Sequence, residues 1–204
     1  MRALAACSFA WLVCAPASAQ DAGVSADACG EAAFAAAEAQ AAGFDSLTIA
    51  LPSPLLHPDA LRLQAVRDTL MAASSRAEAI VNAYVAVLRC RSPRWTVAAY
   101  ERQGHVYEVL AHAIVVARQH ASDERVGHVL DARIVPIECL AVVRYLLAVR
   151  AARPLASSPA GARLAFERLR AYGDYRVTVC ATDQHERDPA FMSFVPASDF
   201  APLP

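Results

Sequence analysis

"RWTVAAYERQGHVYEVLAHAIVVARQH", residues 94–120, is the stretch on which the fold turns. Trp95, Ala99, Val106, Leu110, Ala113 and Ala117 recur at steps that place them on one side of a helix. The spacing predicts a helix from about Arg94 to His120 with that arc buried. On a wheel of about 100° per residue, Glu101, His105, Glu108 and His112 fall within a sector of about 60°, about 120° from the arc. This polar stripe is therefore expected to point sideways or outward, toward water or a partner molecule.

The same periodicity extends in both directions. Upstream, Ser25 is a helix N-cap, 26–42 is dense in helix formers, and Gly43 stands where a helix-ending glycine belongs. The prolines of "FDSLTIALPSPLLHPD" predict an extended connector with docked apolar residues. Pro58 opens a second helix that ends near Arg89, with Leu63, Val66, Leu70, Ala77, Ile80 and Tyr84 on its inner face.

Downstream, Ser122 is the expected cap of a fourth helix over about 123–152, with Val126, Leu130, Ile134, Ile137, Ala141, Arg144 and Leu147 along its face. Pro136 should kink or split it. Ser158 and Pro159 start a fifth helix that stops at Gly173. "YRVTVCAT" alternates and predicts an ordered extended segment, and the tail to residue 204 keeps large apolar residues suited to lying on the helices. The expected architecture is all-α: about five helices in antiparallel hairpins, TPR-like or a helical bundle, over 20–175. An extended C-terminal segment, 176–204, packs on them.

The first 19 residues read as a leader. "MRALAACSFAWLVCAPASAQ" has an early arginine, an apolar run and an Ala17-Ser18-Ala19 cleavage pattern, with cleavage expected after Ala19. "LAAC" at 4–7 resembles a lipoprotein box, but only three residues precede it. An exported chain retains Cys29, Cys90, Cys139 and Cys180, an even number in an oxidising compartment. Three pairings exist; Cys29–Cys90 and Cys139–Cys180 are favoured over the others, and four buried thiols are the alternative. The expected location is periplasmic or secreted, with no membrane span.

Composition narrows the function classes. Apolar residues make up 56% of the chain, enough for a core, and the net charge of −1 argues against a general nucleic-acid binder. No CxxC, P-loop, GxGxxG or nucleophile elbow occurs, so no catalytic residue and no cofactor is expected. The alternative is a metal-binding, hydrolytic bundle on the polar stripe, drawing on His105, Glu108, His112 and His128. In its two-helix form, His105 and Glu108 meet His128 and Asp131. The histidines at 105 and 112 are two turns apart, too far to share one ion readily. Carriage of a lipid or small molecule by the helical core is a third class.

"PRWTVAAYERQGHVYEVLAHAI" resembles a motif of tetratricopeptide-like helical modules in cell-envelope proteins of myxobacteria. Arg94-Trp95, Ala98-Ala99 and Arg102-x-Gly104-x-x-Tyr107-Glu108 match it in order, and Pro136-Ile137-Glu138 sits where the family places Pro-Leu-Glu. The likeness covers roughly 57–175, without an array of repeats around it. It implies a helical scaffold for protein or peptide contacts in the envelope. On this reading Gly104 lets a neighbouring helix approach, Trp95 and Tyr107 fill the groove, and Glu108 pairs with an arginine or caps a neighbour.

Overall fold

The computed structural model describes residues 25–53 and 59–187. The leader with its cleavage point, Cys7 and Cys14, the helix start at Pro58 and the tail 188–204 lie outside the described residues. Within them the chain is all-α, with six helices and no strand: α1 Ala26–Ala41, α2 Asp59–Arg89, α3 Pro93–His120, α4 Glu124–Ala152, α5 Ala160–Tyr172 and α6 Asp174–Arg187. No described helix is long and apolar enough to cross a membrane.

Local chemistry sets most of the ends. Ser25 accepts a hydrogen bond from the Ala28 N–H at 3.1 Å and starts α1. Ser92 caps α3, with Pro93 in the first turn, and its hydroxyl also donates to Asp27 of α1. Gly173 ends α5 at φ 77°, left-handed backbone that glycine adopts without strain, and its N–H donates to the carbonyls of Leu169 and Arg170.

Three expectations are corrected. Asp123, not Ser122, caps α4; its carboxylate takes the Arg125 N–H at 2.9 Å and pairs with Arg62 of α2, a charge-assisted cap stronger than a hydroxyl's. Ser158 does not cap α5, which begins after Pro159 without a side-chain cap. The segment read as extended is α6, so the helical body continues to at least Arg187 rather than ending at 175. The alternation of "YRVTVCAT" predicts extended chain, but Val177, Cys180 and Ala181 stand at i, i+3 and i+4 and are buried together against α4. Tertiary packing overrides a weak local preference here. Pro136 does not split α4. It is exposed, as is Ala132 one turn back, so water can reach the carbonyl that lost its donor.

The molecule is organised around an α3–α4 hairpin, the most extensive helix pairing among the described residues, more so than α2–α3 or α4–α5. Gly104 faces Tyr145 and Arg118 reaches Asp131, so the two helices run antiparallel. Helix α2 packs on α3 and also touches the first half of α4, α1 crosses α2 and α3, α5 covers α3 and α4, and α6 packs on α4 and α5. The second half of α4 is buried almost all round, with Val142, Tyr145, Ala148 and Val149 at 2% exposure or less. Beside that core, Gln103 is fully buried on α3 and donates to the Val81 carbonyl of α2 at 3.1 Å.

The cysteines pair as favoured, Cys29 with Cys90 and Cys139 with Cys180, at Cα separations of 5.6 and 4.8 Å. Each bridge ties a peripheral helix, α1 or α6, to a longer one. Closing loops of 61 and 41 residues restricts the unfolded chain by about 4 kcal/mol each on a loop-entropy argument. Helix α6 has little else to hold it. The double substitution Cys139→Ser/Cys180→Ser is expected to lower unfolding stability by up to about 4 kcal/mol. Limited proteolysis should then cut first within 174–187, whereas the parent chain resists there.

Candidate functional site

The polar stripe of α3 meets its neighbours at Glu108. The Tyr145 hydroxyl of α4 donates to Glu108 Oε2 at 2.7 Å, His105 Nδ1 lies 3.8 Å from the same oxygen, and Arg168 Nε of α5 lies 3.5 Å from it. Burial works against ionising this carboxyl, but the bonds from His105 and Tyr145 and the charge of Arg168 outweigh it and hold the group below the usual range. His105 reaches in the other direction as well, its Nε2 3.0 Å from Asp45 Oδ1 on the connector. The bond to Glu108, aided by Asp45, raises the imidazole above its ordinary value against the pull of burial. Tyr145 is fully buried; burial first, then the Glu108 carboxylate, pushes its phenol strongly up, so it stays a neutral donor.

A second cluster lies on the α1 and α2 side of the same helix. Arg102 Nε donates to Glu38 Oε1 of α1 at 2.7 Å, and the Tyr84 hydroxyl of α2 donates to the same carboxylate. Trp95 packs on Phe34 of α1 with ring centroids 5.1 Å apart, against the face that Gly30 leaves open. Tyr107 is buried, and Glu138 of α4 lies 3.4 Å from Arg176 of α6. Of the motif residues, Trp95, Arg102, Gly104, Glu108 and Glu138 thus meet other helices, whereas Pro136 is exposed.

The alternative metal set is not brought together. The α3–α4 register places His105 and Glu108 beside the second half of α4, whereas His128 and Asp131 sit near the hairpin turn. From 105 to 118, the residue opposite Asp131, the helix rises about 20 Å. Asp131 takes Arg118 at 2.9 Å, His128 lies 3.7 Å from Glu124, and His112 is exposed. Among the described residues no group of three or more His, Cys, Asp or Glu side chains is placed to hold a metal ion.

What remains open is shape. A groove of about 700 Å³ runs between α3 and the connector, floored by Ala113, Val116 and Ala117 and walled by Leu47, Ile49 and Leu51, with His112 and His120 on its rim. Burial along the connector alternates, with Ile49 buried and Thr48 and Ala50 exposed, the mark of extended chain. Among the described residues the peptide groups of 48–51 make no backbone hydrogen bond. A smaller cleft of about 230 Å³, lined by Glu108, His112, Glu138 and Tyr172, adjoins it at His112.

The residues that sequence reasoning missed here are partners from other elements: Glu38, Asp45, Tyr145 and Arg168. Tyr145 has a signal, because it stands four residues from Ala141, on the expected inner face, and four from Val149; the expected face continues through Arg144 instead, which is half-buried. The groove had no signal in spacing.

Two predictions follow from the α3 contacts. A Cβ at Gly104 would stand 2.6 Å from the fully buried Tyr145 ring. Gly104→Ala is expected to destabilise by about 1–2 kcal/mol in denaturant titration, overpacking outweighing a gain of about 1 kcal/mol in helix preference. Gly127→Ala should be near neutral, because its Cβ meets only the movable end of Arg118. The second prediction concerns pH. His105 is raised in the fold, so its contribution is complete below the unfolded value near 6.5 and fades as pH rises through the folded one. His105→Gln should therefore lower the melting temperature more at pH 5.5 than at pH 8.5, where the difference shrinks toward zero. No protein-family model, no curated protein and no solved structure matches the chain.

Proposed function

We propose that the chain is a non-catalytic helical scaffold of the cell envelope, periplasmic or secreted, that holds a partner protein by an extended peptide segment. The observation that carries this is the α3–connector groove. Its apolar floor lies beside chain whose peptide groups at 48–51 are free of backbone bonds among the described residues. Such an edge can pair with an added strand, main-chain bonds giving affinity and alternate side chains entering the groove. The polar residues of α3 support a non-catalytic reading, because Glu108 and Arg102 are engaged in contacts between helices and His105 meets Asp45 of the connector. Two disulfides fit an oxidising compartment, as do the leader-like first residues. The resemblance to tetratricopeptide-like envelope modules points the same way.

The test is selection of 12-residue peptides from a display library on the immobilised chain. Enriched peptides should be apolar at alternate positions. Val116→Glu, which places a charge on the groove floor, should abolish their binding. N-methylation of alternate backbone amides in a selected peptide should weaken it about tenfold, the loss of one or two hydrogen bonds. A selection with no Val116-dependent peptide defeats the reading, and so does a tightly held stoichiometric metal ion in the purified chain.

A further inference from the structure

A second trough lies between α2 and the first half of α4, and it shares no lining residue with the connector groove. It encloses about 550 Å³. Helix α2 lines it with Gln64, Arg67, Asp68, Met71 and Ser74, whose spacing places them on one side of that helix. Leu70 forms a buried part of its floor, and Val129, Ala132 and Arg133 form the α4 wall. Met71 is 65% exposed and Val135, nearby on α4, is 41% exposed. These are large apolar side chains held in water beside a depression.

Charge distinguishes this trough. Arg67 and Arg133 stand on opposite walls, both exposed, and neither has an ion pair among the described residues. The third charged group in the lining, Asp68, accepts a hydrogen bond from Gln64 at 2.8 Å. The net lining charge is thus one positive, with an unpaired guanidinium on each rim. Other arginines nearby are engaged: Arg62 with Asp123, Arg118 with Asp131, and Arg76 over the Phe44 ring.

Helices α2 and α4 both run antiparallel to α3, and so parallel to each other. A trough between two parallel helices is the seat of a third, whose ridge settles between theirs at about 8–10 Å from each axis. We infer that this trough docks an acidic amphipathic helix of a partner protein. The helix lays its apolar stripe on Leu70, Met71, Val129 and Ala132, and carboxylates along its two edges meet Arg67 and Arg133. An acyl chain with an anionic head would satisfy one arginine and leave much of its length wet in a trough this open, so a helix is the better occupant. The inference stands apart from the connector groove and does not depend on it.

The experiment is a display library of 18-residue helices with a fixed apolar stripe and edge positions drawn from Glu, Gln and Lys, selected on the full oxidised chain. Glu should be enriched on both edges, and affinity should fall as salt is raised. Amide resonances of Arg67, Met71, Val129 and Arg133 should shift on binding. The double substitution Arg67→Glu/Arg133→Glu, at exposed positions and with unchanged circular dichroism, should bind the selected helices at least about tenfold more weakly and itself select Lys. Val116→Glu should leave this binding unchanged. The inference is overturned by an absence of binders, by selected edges without charge preference, or by loss of binding in Val116→Glu. It is equally overturned if a synthetic peptide of residues 188–204 or phosphatidylglycerol vesicles bind the trough more tightly than the acidic helices do.

Discussion

The close approach of α3 and α4 at Gly104 is the contact on which the rest of the structure depends. The Tyr145 ring lies where a side chain at position 104 would be, and it is fully buried there. That position lets the Tyr145 hydroxyl reach Glu108, one turn further along α3. Glu108 in turn meets Arg168 and so connects with α5. A missing side chain on one helix thereby fixes the register of a second and the seat of a third. The same device recurs at smaller scale where Gly30 of α1 admits Trp95 of α3.

Half-buried charge on α3 serves the same end. A carboxylate removed from water is costly unless its oxygens are bonded, and Glu38 and Glu108 are each bonded by groups from neighbouring helices. Glu38 receives Arg102 and Tyr84, drawing α1, α2 and α3 together. Glu108 receives Tyr145, with His105 and Arg168 at its side, and draws in α4 and α5. The two clusters stand about 9 Å apart along the helix axis and face different neighbours. Arranged this way, the two clusters specify which helices meet and at what register.

The all-α class and the approximate bounds of the first five helices could be read from the sequence because they rest on short-range signals. Ser25 and Gly173 act within a few residues of their own position, and the inner face of α2 is set by spacing alone. The cysteine pairs join residues 61 and 41 positions apart, so only the fold chooses among the three combinations. Helix α6 is not legible because its residues alternate as those of an extended segment do, and only burial against α4 and the bridge to Cys139 override that pattern. For the candidate site, the stripe itself was legible but its partners were not. Asp45 lies 60 residues from His105, and Arg168 also lies 60 residues from Glu108. No local rule encodes a meeting over such distances. Grooves are harder still, since they are set by where side chains are absent.

The placement of the disulfides bears on both proposed binding surfaces. Ordering a loose wall at the moment of binding subtracts from affinity, so a groove is most useful when its walls are already fixed. Helix α1, which leads directly into the connector, is bridged to the end of α2 by Cys29–Cys90. The connector is held again at its near end, where Phe44 is buried under Arg76 of α2 and Asp45 meets His105 of α3. At the trough between α2 and α4, the Arg62–Asp123 pair joins the first turns of α2 to the cap of α4 and sets the spacing of the two walls. Both surfaces are therefore bounded by elements fixed through covalent or ionic ties that do not involve the groove floors. Substitutions on a groove floor can then alter recognition without loosening the frame, a separation that a packed catalytic centre does not offer.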